Sequence, residues 1–141
     1  MVAGVGLVLC MNLAACGPKL PKSVNQDALE QSIAMSMGDM NTCVVLADRA
    51  TGKIAWSTGL KEACRAKYPA CTADKSIDVN DLAKQALSGV TVTTGCSLVS
   101  WAAGTAGKST YVYAAVMSGE RALPGREMSL RLDSAFAAAG L

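Results

Sequence analysis

The chain has no histidine in its 141 residues. That removes the imidazole ligands on which many zinc sites depend. Aromatics are scarce as well: two tryptophans, three tyrosines and one phenylalanine. Each is therefore a candidate core anchor or contact residue. No apolar run reaches the roughly 20 residues that a membrane-spanning helix needs. Neither charge dominates, with 13 basic against 11 acidic residues. There is no basic stripe, which argues against a nucleic-acid partner. Internal repeats and low-complexity tracts are also missing, apart from an alanine-rich C-terminal stretch, so the length fits one domain.

What is present begins with an apolar, uncharged stretch from Met1 to Cys16 that stops at Gly17-Pro18-Lys19. Its length is that of a signal-peptide apolar region, and it ends in the small residues that a cleavage site requires. Leu13-Ala14-Ala15-Cys16 resembles the bacterial lipobox, in which the cysteine is acylated and the chain is cut before it. No Lys or Arg precedes the apolar run, which departs from the usual signal. The resemblance implies a signal peptide over 1–15, lipidation of Cys16 and attachment to an envelope membrane. Gly17, where inner-membrane retention would place an aspartate, implies the outer membrane, with the domain facing the periplasm. Residues 16–24 (CGPKLPKSV) read as a tether, and 25–141 as a single α+β domain.

Four cysteines remain after Cys16: Cys43, Cys64, Cys71 and Cys96. Structural zinc ligands come in pairs two to four residues apart, and none of these has such a neighbour. An even number in an exported chain points instead to two disulfides. Cys64 and Cys71 flank a short tyrosine-proline loop and can close on each other, leaving Cys43 with Cys96; the other two pairings stay open.

Periodicity sets out the elements. A helix is predicted from Asn25, as its cap, to about Met37, with Leu29 and Ile33 one turn apart and Gly38 to end it. Thr42 to Ala47 and Lys53 to Thr58 read as a hairpin around the turn Asp48 to Gly52. From Leu60 to Ile77 a loop with one short helical turn is expected. Asp78 caps a helix with an apolar stripe of Leu82, Ala83, Ala86 and Leu87, which Gly89 ends. Three strands follow (90–94, 96–103 and 109–117), the last two joined by a tight hairpin at Gly104 to Gly107. A closing helix starts near Arg126, with Met128, Leu132 and Phe136 four residues apart. The sum is an α+β fold: a five-stranded antiparallel sheet with the N- and C-terminal helices covering one face.

Two fold families resemble this order. The hairpin CVVLADRATGKIAWST, the segment from Cys64 to Lys75 and the late strands resemble a reduced penicillin-binding or class D β-lactamase domain. That resemblance implies a hydroxyl nucleophile at Thr72, within Thr72-Ala73-Asp74-Lys75, with Lys75 as its base, acting on peptidoglycan peptides. The departures are large. Threonine replaces the nucleophilic serine, Thr93-Thr94-Gly95 lacks the lysine of Lys-Thr-Gly, and no helical region fits between Gly89 and Val90. Asp74 would also hold Lys75 in its charged form, which opposes a base role. The same order is similar to roadblock and profilin-like sandwiches, which are non-catalytic binding and dimerisation modules. Gly104 to Ser109 resembles the end of a phosphate-binding loop but joins two strands, so no nucleotide or other cofactor is expected.

Contacts are then sought among the aromatics. Tyr111 and Tyr113 alternate away from Val112, Ala114 and Val116, and a partly wet tyrosine face would offer a ligand surface. Tyr68, in the cysteine-flanked loop, is the strongest candidate, since a stiffened loop loses little entropy on binding. The expectation is a non-catalytic envelope lipoprotein that binds an envelope protein, peptidoglycan or a second copy of itself.

Overall fold

A computed structural model describes residues 19–38 and 41–141. The lipobox and Cys16 lie outside the described residues. Helix α1 (Gln26–Met37) starts at Asn25, whose side chain accepts from the Ala28 N–H at 3.0 Å. Strands β1 (Thr42–Asp48) and β2 (Ile54–Gly59) form the first hairpin. Its turn is held by the Asp48 carboxylate, which accepts from the Ala50 N–H. The expected loop then contains α2 (Lys61–Arg65) and a small ribbon, β3 (Tyr68–Pro69) with β4 (Ser76–Ile77). Helix α3 (Val79–Ala86) begins in a reciprocal cap between Asp78 and Asp81. The Asp78 backbone N–H, donating to Asp81, is the main reason that carboxyl is held below its usual range. Strands β5 (Val92–Cys96), β6 (Val99–Thr105) and β7 (Tyr111–Ser118) and helix α4 (Gly125–Ala139) complete the chain.

The five long strands form one antiparallel sheet in the order β2-β1-β7-β6-β5. β1 and β7 lie inside it and are buried along almost their whole length. Alternation sorts their side chains. Val44, Leu46, Tyr113, Ala115 and Met117 face α1 and α4, where Leu29, Ile33, Met128, Leu132 and Phe136 complete one core. Cys43, Val45, Val112, Ala114 and Val116 face the other way, under Val79, Leu82, Ala83 and Ala86 of α3. The terminal helices cover one face, as expected, and α2 and α3 cover the second.

The two expected disulfides form, in one of the pairings left open, and two other expectations need correction. The disulfides join Cys43 to Cys64 and Cys71 to Cys96, with Cα–Cα distances of 5.1 and 5.5 Å. Cys64 and Cys71 are not joined because α2 turns Cys64 back onto β1, while Cys71 reaches the β5 edge. The tether expected over 16–24 is docked from Leu20 onward: Leu20 and Val24 are buried in the core of α1 and α4. Asn25 N–H donates to Ala139 O, and the Tyr111 hydroxyl donates to Lys19 O. Finally, β5 and β6 turn at Ser97-Leu98, inside the stretch expected as a single strand over 96–103. Both residues have positive φ (46° and 64°), and Cys96 pairs with Val99 across them. This is the two-residue hairpin geometry that matches strand twist. It is held by Gly119 N–H donating to Leu98 O and by the bridge on Cys96.

Candidate functional site

The sheet has two ends with different characters. At one, the β1–β2 and β6–β7 turns meet the incoming chain at Lys19. At the other, α1 ends, β1 begins and β7 stops. There a cleft of about 570 Å³ opens between Met37, Gly38, Asn41 and the segment Met117 to Arg121. Met37 and Met117 are buried at its base, and Glu120 and Arg121 are exposed at its rim. Three backbone positions shape it: Gly38, Asn41 and Gly119 all have positive φ. The methionine floor is deformable and suits irregular apolar groups. Leu98, on the strained β5–β6 turn, is 63% exposed and bonded through its carbonyl to Gly119 beside the cleft.

The β2 edge runs towards this end. The Leu60 N–H donates to Thr42 O, so by antiparallel alternation the Thr58 and Trp56 amides point into the sheet, and those of Ser57 and Gly59 point outward. β2 carries no charge and no proline, unlike the edges that proteins protect against pairing. Beyond its last residues lies a recess of about 40 Å³ lined by Ile33, Ala34, Gly38, Thr42, Thr58 and Gly59. Gly38 is shared with the larger cleft. An open strand thus leads into an apolar recess and then into a cleft with a charged rim. β5, the other edge, is approached by the first turn of α4: a Cβ on Gly125 would stand 2.7 Å from Thr94 N.

The residues singled out from the sequence are scattered. Tyr113 is 1% exposed, packed on Phe136 with its hydroxyl 3.0 Å from Ser129 Oγ. Burial pushes its hydroxyl above the usual phenol range. Tyr111 is 8% exposed. The partly wet tyrosine face is therefore corrected: α1, α4 and the docked segment from Leu20 to Val24 cover it. Tyr68 is half-buried and meets Trp101 edge-on, while Pro69 O accepts from the Trp101 indole N–H at 2.8 Å. It is a lid on Trp101 more than a free contact. Thr72 and Lys75 are both exposed in the β3–β4 turn, with no hydrogen bond between them, and Thr72 does not open a helix. The dyad that the penicillin-binding resemblance implies is not assembled there. Gly104 to Ser109 forms the β6–β7 hairpin, closed by the Ala106 N–H on Tyr111 O. Among the described residues no group of three or more His, Cys, Asp or Glu side chains is placed to hold a metal.

Sequence reasoning missed the cleft and the β2 edge. A signal for the first was available in Gly38, Asn41 and Gly119, which punctuate three element ends. The second follows only from strand order, which periodicity does not carry.

No family profile matches this sequence, and no curated protein matches it. Among solved structures it is similar to one described as MglB with tetrameric arrangement. The TM-score is 0.51 at 16% identity, covering 86% of this chain and 90% of that one. At that identity the likeness concerns the fold, a roadblock-like α+β sandwich.

Proposed function

We propose that this chain is a non-catalytic lipoprotein of the bacterial envelope, anchored through Cys16 to the outer membrane, whose periplasmic domain binds another envelope component by adding a strand at β2. The observation that carries the binding reading is the β2 edge: six uncharged residues, open on one side, leading into an apolar recess. Strand addition draws affinity from main-chain hydrogen bonds and specificity from pockets beside the edge. The two disulfides support an oxidising compartment such as the periplasm. The lipobox resemblance supports the anchor.

The test is Ser57→Pro. The outward Ser57 amide takes no part in the β1–β2 ladder, so proline there blocks pairing while leaving the sheet intact. Wild-type protein is expected to retain a partner from envelope extracts, or to self-associate in sedimentation, and Ser57→Pro to lose at least about tenfold in that affinity, as several main-chain bonds go. A domain that runs as a monomer and retains nothing ends the reading. Separately, Cys16→Ser is expected to abolish acylation and leave an unprocessed or soluble species. Unchanged membrane partitioning of that variant would remove the anchor.

A further inference from the structure

Leu20 and Val24 are buried in the core and Tyr111 holds Lys19 by its carbonyl. The domain therefore starts at Leu20, not after a loose linker. From Cys16 to Leu20 the chain can span at most about 14 Å, even fully extended. If Cys16 carries the lipid, the end of the sheet where Lys19 enters is held against the bilayer. The opposite end, with the cleft and Leu98, stands one strand length further out, about 25 Å for a strand the length of β7.

The held end has a composition suited to that contact. Lys19 precedes the docked segment and Lys22 lies within it, Arg49 and Lys53 sit in the β1–β2 turn, and Lys108 sits in the β6–β7 turn; all five are exposed. The ion pairs among the described residues are Lys67 with Asp81 and Arg131 with Glu127, so none of the five pairs with a described carboxylate. Arg49 donates to Thr105 Oγ1 at 2.6 Å, which ties the two turns together and keeps its charge at the surface. Three carboxyl groups lie at this end: Asp48, engaged with the Ala50 amide, Asp27 in the first turn of α1, and the carboxyl of Leu141, which stands against Gly107 beside Lys108. Two exposed apolar side chains stand at the same end: Ile54, 38% exposed, and Val90, 50% exposed. Cations around a few apolar groups fit the headgroup layer of an anionic bilayer.

We infer that the end of the sheet formed by the β1–β2 turn, the β6–β7 turn and Lys19 rests on anionic phospholipid headgroups, so that the β2 edge runs away from the membrane and the cleft faces the periplasm. This rests on the anchored-lipoprotein reading and adds an orientation to it. A free tether would let the domain tumble; a docked one presents the same end outward at all times.

The experiment uses the full acylated chain in vesicles of phosphatidylethanolamine and phosphatidylglycerol, labelled with a membrane-impermeant amine-acylating reagent and compared with the same protein in neutral detergent. Lys19, Lys22, Lys53 and Lys108 are expected to react at least about threefold more slowly on vesicles, while Lys61 and Lys75, towards the other end, are unchanged. That protection should weaken in vesicles of phosphatidylcholine alone and at high salt, as screening predicts. Equal labelling of all six lysines, or protection centred on Lys61, overturns the orientation while leaving the anchor intact. Protection that appears only when a protein partner is added assigns this end to a protein and also overturns it. Intact mass on the same sample reports the anchor by itself: an unacylated Cys16 ends the lipoprotein reading, and the inferred orientation ends with it.

Discussion

Gly125→Ala is expected to destabilise the domain by about 2–3 kcal/mol, read as a lower midpoint in urea, although it adds a single methyl group and raises helix propensity. The reason is where α4 lands. An added Cβ on Gly125 would lie 2.5 Å from Trp101 O and 2.7 Å from Thr94 N, both backbone atoms of paired strands. Neither can swing aside like the end of a side chain, so the first turn of α4 must lift off β5 and β6. Met128, Leu132 and Phe136 follow on the same helix and are all fully buried, so a lifted start loosens one of the two cores. Gly104→Ala is the control. Its Cβ would meet nothing closer than Tyr113 Cε1 at 3.5 Å, ordinary contact. A cost within about 1 kcal/mol is expected there. Equal costs at both positions would mean that α4 is not seated on the sheet as described.

The elements that were legible in the sequence are those written in local chemistry. Asn25 and Asp78 cap the helices they announced, and the turn from Asp48 to Gly52 closes the hairpin it announced. The four-residue spacing of Met128, Leu132 and Phe136 faces the core. Alternation along β7 was also read correctly, with Tyr111 and Tyr113 opposite Val112 and Ala114. Parity, however, does not say which face is covered, and a helix pair and an N-terminal segment lie over the tyrosines. The stretch Cys43 to Ala47 held a clue to the second layer. Five consecutive apolar residues do not suit a sheet with one wet face, and α3 supplies the missing cover. The β2 edge was invisible because strand order follows from contacts far apart in the chain. The β5–β6 turn was not legible because glycine is the usual turn residue, whereas here serine and leucine take positive φ beside the bridge on Cys96 and the Gly119 bond to Leu98.

The two disulfides are expected to differ in how readily they are reduced, while contributing similar chain entropy. Their sequence separations are 21 and 25 residues, which by loop-closure arguments restrict the unfolded chain almost equally, by roughly 3 kcal/mol each. Removing either as a double alanine variant should therefore cost about that much. Cys43→Ala/Cys64→Ala should cost up to about 1 kcal/mol more, since Cys43 is fully buried among Val45 and Val116 and leaves a void. Reduction follows accessibility instead. Cys71 and Cys96 are both half-exposed, whereas in the other bridge only Cys64 is, and Cys43 is sealed beneath the second layer. A dithiol titration should open Cys71–Cys96 first. That release frees the β3–β4 ribbon, whose Tyr68 ring and Pro69 carbonyl cover Trp101. The expected signature is a red shift in tryptophan emission ahead of global unfolding. Non-reducing peptide mapping checks the pairing itself, because cleavage after Arg65 or Lys67 separates Cys64 from Cys71. A Cys64–Cys71 peptide, or simultaneous loss of both bridges with no early emission change, would show that the ribbon is not clamped to β5 and that Trp101 owes its burial to something else.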